Sequence, residues 1–456
     1  MSTEAETETP RAEPPNRWTL RPLLLRLHFY AGILVGPFIL VAALTGLLYI
    51  FAPQLEEAIY DHELHVPASP VSVPLSEQVA AARAELPGST LASVRPSPSP
   101  TDTTQVLFDT PGLAESYHHT VFVNPHDGEV RGVLETYGSG QALPLRAWLD
   151  QLHRGLHLGD VGRVYSELAA SWLWVVVLGG LALWWGRRRR RRLVPDRAAK
   201  GRQRTLSWHG ATGTWVALVL LFLSATGLTW SQFAGENVGK LREALSWQTP
   251  SVSASAGEHA EHGASGHAHE GAAPVTDVGL DRVLASARND GLADPVEIRP
   301  PSAEGEVYVV QRTERSWPSA QDAAAIDPAT GEVLEVQRFE DWPLMAKFAR
   351  WGIDAHMGLL FGLPNQLVLA IVCVAVLTLV VLGYRMWWQR RPTRDAAFGA
   401  GRPFPRGAWR RIPPWGLVLL GAAAVTIGWF LPLLGVSLVA FLVLDVLLAW
   451  RRRVRA

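Results

Sequence analysis

The sequence predicts an α-helical polytopic membrane protein, internally duplicated, with six transmembrane helices and two α+β domains on its outer face. Three observations lead there: long apolar runs, an uneven distribution of charge, and motifs that recur at fixed offsets. The chain has 456 residues, 48% hydrophobic and 18% charged, with a mean hydropathy of +0.10. That composition excludes a disordered chain. Its one cysteine, Cys373, excludes a disulfide scaffold and a Cys-ligated zinc or iron–sulfur centre. The 42 basic residues balance 42 acidic ones, which argues against nucleic acid as a partner.

Along the chain, residues 1–20 are acidic, Pro-rich and polar and read as a disordered cytoplasmic N-terminus, not a cleaved signal peptide. A crossing needs about 20 apolar residues. The first (21–52) has its apolar run at 29–51. Segment 53–140 is the first outer domain, and 141–186 holds a His-x-Gly segment and the second crossing, 167–186. A basic cytoplasmic loop, 187–206, leads to the third crossing, 207–231. Segment 232–340 is the second outer domain, with a His-rich insertion at 250–273. Segment 341–388 holds a second His-x-Gly segment and the fourth crossing, 365–388; a basic loop, 389–412, follows. The apolar region 413–450 is too long for one crossing, and Pro432 divides it into short helices at 414–430 and 432–450. A basic tail, 451–456, closes the chain. Trp184, Trp185, Trp230, Trp387, Trp388, Trp415 and Trp450 fall near helix ends, where amphipathic rings prefer to sit.

Lys and Arg accumulate in cytoplasmic loops. Segment 187–210 has ten Lys/Arg and one acid, 385–411 has eight Arg and one Asp, and 451–456 has four Arg. By contrast, 52–166 has six basic and 14 acidic residues, and 232–364 has ten and 20. Both termini are therefore expected in the cytoplasm, the long loops outside, in a bacterial-type cytoplasmic membrane. A single crossing at 414–450 would instead put the tail outside. The Arg run 187–192 follows an apolar helix and reads as a stop-transfer segment in contact with lipid.

Two offsets organise the repeats. His28-Phe-Tyr-Ala-Gly32 matches His209-Gly-Ala-Thr-Gly213, and Leu44-Thr-Gly-Leu47 matches Ala225-Thr-Gly-Leu228, both at the first offset. Val123-Asn-Pro-His-Asp-Gly-Glu-Val130 matches Ile326-Asp-Pro-Ala-Thr-Gly-Glu-Val333, and His153-Arg-Gly-Leu-His-Leu-Gly159 matches His356-Met-Gly-Leu-Leu-Phe-Gly362, both at a second, longer one. The insertion at 250–273 accounts for the change of offset. Each outer domain opens with a helical stretch, about 75–86 and 278–289, before alternating strands at 105–108, 120–123, 307–311 and 325–326. Asp-Gly and Thr-Gly turns at 127–128 and 330–331 then lead into Glu-Val strands.

Ionisable residues at membrane depth are costly and usually mark function. His28 and His209 lie at equivalent points near the inner ends of the first and third helices, and His153 and His356 precede the second and fourth. The helix from His28 to Thr45 is about 25 Å long, so the two pairs sit at opposite faces of the bilayer. Two histidine pairs stacked in this way fit bis-histidine ligation of two b-type haems (heme b). With no Cys-x-x-Cys-His motif, the haem would be non-covalent. Gly32, Gly36, Gly210 and Gly213 leave room beside the ligands, although small residues equally serve helix packing. His28 and His209 could instead bond lipid or backbone, and His153 and His356 could dock the outer domain; recurrence in both halves favours ligands. His157, four residues after His153 and so expected on the same helix face, is a secondary ligand candidate, although its repeat partner is Leu360. His259, His262, His267 and His269 form a loose tract that would suit copper, nickel or zinc. His118 and His119 read as surface residues before a strand. No Gly-x-Gly-x-x-Gly, P-loop or His-Glu-x-x-His is present, so nothing argues for a nicotinamide, flavin or nucleotide site.

In Arg26-Leu-His-Phe-Tyr-Ala-Gly32, Leu44-Thr-Gly46, Leu152-His-Arg-Gly155, His356-Met-Gly-Leu-Leu-Phe-Gly362 and Tyr384-Arg-Met-Trp-Trp-Gln-Arg-Arg391, the chain resembles the PepSY-associated transmembrane proteins, which include iron-regulated and siderophore-reductase members. The paired Pro-x-x-Gly-Glu-Val segments look like the ends of PepSY domains. The resemblance covers about 20–395. It implies a four-helix membrane core with PepSY domains outside and, in some members, haem-dependent reduction of ferric siderophores. Its matching histidines are His28, His153, His209 and His356. The His-rich insertion and the final helix pair depart from the core pattern.

Three functions follow as expectations. The first is dihaem electron transfer, from a quinol or a protein donor to a ferric siderophore or another ferric or cupric acceptor outside. The second is non-enzymatic: PepSY domains that bind and regulate peptides or proteases. The third is metal handling by the His-rich loop.

Overall fold

The computed structural model describes residues 20–185, 193–253, 277–303, 305–390 and 412–454. Four helices among them are long and apolar enough to cross a bilayer: α1 (Arg21–Ile50), α6 (Gly159–Trp185), α7 (Gly201–Thr229) and α11 (Leu363–Trp388). They coincide with the four long apolar runs of the sequence. The chain divides into two compact units. One is drawn from residues up to Val41, from Val164–Asn237 and from Val374 onward; the other from Ala42–Arg163 and Val238–Cys373.

The first unit is helical among the described residues. Two shorter apolar helices, α12 (Pro414–Phe430) and α13 (Pro432–Val454), meet at Leu431, as Pro432 predicts. They can turn back on each other because a Cβ on Gly428 would lie 3.0 Å from Gly435 Cα. This hairpin docks on the other helices of the unit through polar contacts that apolar surroundings make costly to leave unmade. Trp172 Nε1 donates to Ser437 Oγ at 2.8 Å, Arg26 pairs with Asp445, and Asn237 donates to the Phe430 carbonyl at 3.0 Å. Glu167, 1% exposed, accepts the main-chain N–H groups of Phe233 and Ala234 at 2.9 and 3.0 Å. It thereby caps α8 (Phe233–Ala244), a burial that only full hydrogen bonding makes tolerable.

The second unit is built on one antiparallel eight-stranded sheet, ordered β4-β3-β2-β1-β5-β6-β7-β8. Its strands are β1 (Thr90–Arg95), β2 (Thr104–Asp109), β3 (Tyr117–Val123), β4 (Val130–Tyr137), β5 (Val296–Arg299), β6 (Tyr308–Arg312), β7 (Ala323–Ile326) and β8 (Val333–Gln337). The four alternating runs of the sequence become β2, β3, β6 and β7. His118 and His119 lie within β3 rather than before it. β1 and β5 carry no comparable pattern, yet they join the two sets of strands at Val94 and Ile298. The two long loops therefore share a sheet instead of forming separate ones.

The β3–β4 and β7–β8 hairpins correspond bond for bond at the second repeat offset. Asn124 and Asp327 N–H donate to the carbonyls of Glu129 and Glu332, and Gly128 and Gly331 N–H donate to those of Asn124 and Asp327. Gly128 and Gly331 have φ of 78° and 73°, which L side chains rarely adopt, so the turns need glycine there. Helices α4 (Leu75–Glu85) and α9 (Leu280–Asn289) cover one face of the sheet. Val79 and Val283 meet Phe108, Val121, Ile298 and Ile326 in a continuous core. Asp281 on α9 accepts the N–H groups of Leu75 and Ser76 at 2.6 and 3.1 Å, capping α4.

Across the β1–β5 seam, Glu297, 5% exposed, accepts from Arg95 Nε at 2.8 Å and from Arg299 Nε at 3.0 Å. Burial pushes its carboxyl up, but Arg95 and then Arg299 outweigh that and hold it below the ordinary value. A depressed folded-state value means stability present above the unfolded carboxylate range and lost as pH falls through it. Glu297→Ala should therefore cost roughly 3–5 kcal/mol, since it leaves Arg95 buried without its partner. Thermal melting of the solubilised full chain checks this, and Glu297→Gln should flatten the acid-side loss seen in the parent.

Candidate functional site

The structure brings the four repeat-matched histidines together as two pairs, one in each unit. His28 comes from α1 and His209 from α7, with ring centroids 6.3 Å apart and planes at 76°. Each ring is held the same way. His28 Nδ1 lies 2.9 Å from the Val176 carbonyl on α6, and His209 Nδ1 lies 3.1 Å from the Leu379 carbonyl on α11. A carbonyl can only accept, so Nδ1 donates and Nε2 keeps its lone pair. Each of these carbonyls also faces the N–H four residues on, in the ordinary helical pattern. The residue there is glycine in both cases, Gly180 and Gly383. A Cβ on Gly180 would lie 3.0 Å from His28 Cε1, and one on Gly383 would lie 3.9 Å from His209 Cε1. At Gly180 the missing side chain lets the imidazole reach the second lone pair of the carbonyl, whereas at Gly383 a Cβ would make only an ordinary van der Waals contact. Val176 pairs with Leu379, and Gly180 with Gly383, at the same offset that relates His153 to His356.

Both rings line a cavity of about 430 Å³ among α1, α6, α7 and α11. Its walls are chiefly apolar, with Leu173, Val177 and Val380 among them, and its floor is opened by Gly32, Gly36 and Gly213. Gly210 has another role: a Cβ there would come within 2.5 Å of the Trp184 indole, so this glycine seats the tryptophan. Tyr384 OH donates to the Ile33 carbonyl at 2.6 Å and fixes α11 against α1 beside Gly36.

In the second unit, His153 sits in the last turn of α5 (Pro144–Gly155), and His356 is the final residue of α10 (Leu344–His356). Thr45 Oγ1 donates to the Ala42 carbonyl at 3.2 Å, so it accepts from His153 Nδ1 at 2.9 Å. Gly46 again makes the approach possible, for a Cβ there would lie 3.2 Å from His153 Cε1. Burial lowers the His356 imidazole to about 3, and the nearby His153 adds to the depression. Burial also lowers His153, against the pull of Asp150. Both rings are thus neutral near pH 7, the form that ligates a metal. Two residues before His356, Asp354 has a side chain with 0% exposure, held by Arg315 Nε at 2.7 Å and by Arg350 Nε at 2.9 Å. Gly358, with φ of 79°, then turns the chain from α10 toward α11.

His157 does not share the helix face of His153. α5 ends at Gly155, Leu156 and His157 take φ of 51° and 55°, and the exposed His157 ring packs 4.9 Å from that of Trp148. The four-residue spacing carries no face relation once the helix has stopped. His259, His262, His267 and His269 lie outside the described residues. Gly180, Gly383, Asp354 and Arg315 received no role from sequence reasoning. Only the two glycines carried a signal, as a pair at the repeat offset in the second and fourth long helices.

The chain belongs to the PepSY-associated transmembrane family: the family model described as the PepSY-associated TM region matches residues 25–390. It is accordingly a membrane protein whose apolar helices contact lipid. A search of curated proteins gives no match.

Asp354→Ala should cost roughly 3–5 kcal/mol, because Arg315 and Arg350 lose a fully buried counter-ion. A fall in melting temperature, with normal behaviour restored by Asp354→Glu more than by Asp354→Asn, is the expected result.

Proposed function

We propose that this protein is a dihaem transmembrane electron-transfer protein that reduces a ferric or cupric species, a ferric siderophore among them, at its extracytoplasmic face. A quinol or a protein serves as donor. The observation that carries the proposal is the 6.3 Å between the His28 and His209 ring centroids. A metal–imidazole bond is about 2.0 Å and a ring centre lies about 1 Å behind its bonding nitrogen, so about 6 Å is the greatest separation at which two imidazoles can share one metal, and the observed distance stands at that reach. The donor set fits as well: Nδ1 is committed to a carbonyl on each side, the outer-shell arrangement that orients metal-bound histidines. The apolar, glycine-floored cavity is of a size that holds a flat cofactor.

His28 and His209 would hold one b-type haem through Nε2, and His153 and His356 a second. Such a group supplies reversible one-electron chemistry at iron. The chain's residues do the rest. Val176, Leu379 and Thr45 fix imidazole orientation, Gly180 and Gly46 admit the rings, and the apolar walls exclude water. The charge distribution supports cytoplasmic termini with His28 and His209 toward the cytoplasm. The matching hairpins and histidine environments support an internal duplication. With α12 and α13 as short crossings, six helices span the membrane, and the hairpin contacts of Trp172 and Arg26 support that placement.

Detergent-purified protein should show reducible Soret and α bands of b-type haem, equivalent to two per chain. Absence of those bands would overturn the proposal. His28→Ala and His209→Ala should each remove about one haem, as should His356→Ala. Gly180→Val should lower haem content too, because the new side chain meets His28.

A further inference from the structure

We propose that Arg21 and Arg202 form a paired carboxylate anchor at one end of the His28/His209 cavity and hold the two propionates of the group bound there. This rests on the haem reading of that cavity. Both arginines line it together with the two histidines. Arg21 is the first residue of α1 and Arg202 the second of α7, and each stands seven residues before its histidine. Residues seven apart share a helix face, and the rise between them is about 10 Å. That is comparable to the reach from a porphyrin's centre to its propionate carboxylates. The two arginines are related by the same offset as His28 and His209, so the anchor recurs with the ligands.

The chemistry of the cavity is one-sided. Its lining includes Arg21, Arg202 and Arg390 and no Asp or Glu among the described residues. Arg21 and Arg202 are exposed and make no ion pair among the described residues. Neither α1 nor α7 has an acid in its first turn. Cations there run against the helix dipole, so helix formation does not explain them. An apolar slot closed by two cations and two helix N-termini selects a flat amphiphile with two carboxylates at one edge. Arginine contact with lipid phosphate, the other source of anionic oxygen, would not depend on facing the cavity. Arg204, exposed and on the same helix as Arg202, does not line it and supplies the comparison.

The test uses the purified, haem-loaded full chain in a phosphate-free detergent, with Arg21→Gln, Arg202→Gln, the double variant and Arg204→Gln. Two quantities are read: the reduction potential of each haem, and the rate of haem transfer to apomyoglobin. Removing a cation beside the propionates favours the more positively charged ferric form, so one of the two potentials should fall. Release of that haem should quicken by roughly tenfold per arginine, the scale of one charge-assisted bond. Arg21→Lys and Arg202→Lys should restore most of the potential, and Arg204→Gln should change neither quantity. Unchanged potentials and release rates in the double variant would overturn the anchor, as would an equal effect of Arg204→Gln. A parent protein without haem bands overturns the cavity reading itself, so the two failures are told apart.

Discussion

A buried imidazole must settle both of its nitrogens, and in an apolar interior an unbonded one is costly. Here a helix carbonyl settles one of them. The carbonyl already serves its own helix, and it can take a second donor only where the neighbouring position leaves the ring room. Gly180 provides that gap for His28, and Gly46 admits His153 to Thr45 in the same way. Ring orientation, the remaining lone pair and the shape of the first cavity all follow from it. A larger residue at Gly180 or Gly46 would move an imidazole, not merely fill space.

The same constraint explains what could be read in the sequence. The four histidines stood out because ionisable residues are rare in apolar runs and these recur at two offsets. Their acceptors did not, because every residue carries a carbonyl and Val176 looks like any other apolar position. His157 was misplaced because spacing reports a shared face only while the helix lasts, and a left-handed residue pair ended it. The strands with clear alternation were legible, as were the glycine turns. The short strand β5 and the seam it makes with β1 were not, since that pairing joins distant parts of the chain, Val94 and Ile298, with no local signature.

Buried charge is handled differently in the two units. In the first, Glu167 spends its oxygens on main-chain N–H groups and Arg26 finds Asp445, so the charges tie helices together. In the second, Asp354 and Glu297 each gather two arginines. Asp354 does so two residues from a proposed ligand, which makes the ion cluster a rigid backing for the end of α10. Replacing either carboxylate removes a fastening that apolar packing does not duplicate.

The seam between β1 and β5 also sets a schedule. β1 is complete at Arg95, but its partner begins at Val296. At about 5–20 residues per second, the ribosome takes about 10–40 s to make the intervening chain. Throughout that wait β1 is a bare sheet edge, the kind of template that invites pairing with a stranger. Arg95 then sits uncompensated on the open strand, and a charge that must be buried without its carboxylate discourages any other strand from docking. Glu297 supplies that carboxylate only when β5 has been made, so the bond that closes the seam is also the last of its parts to be available.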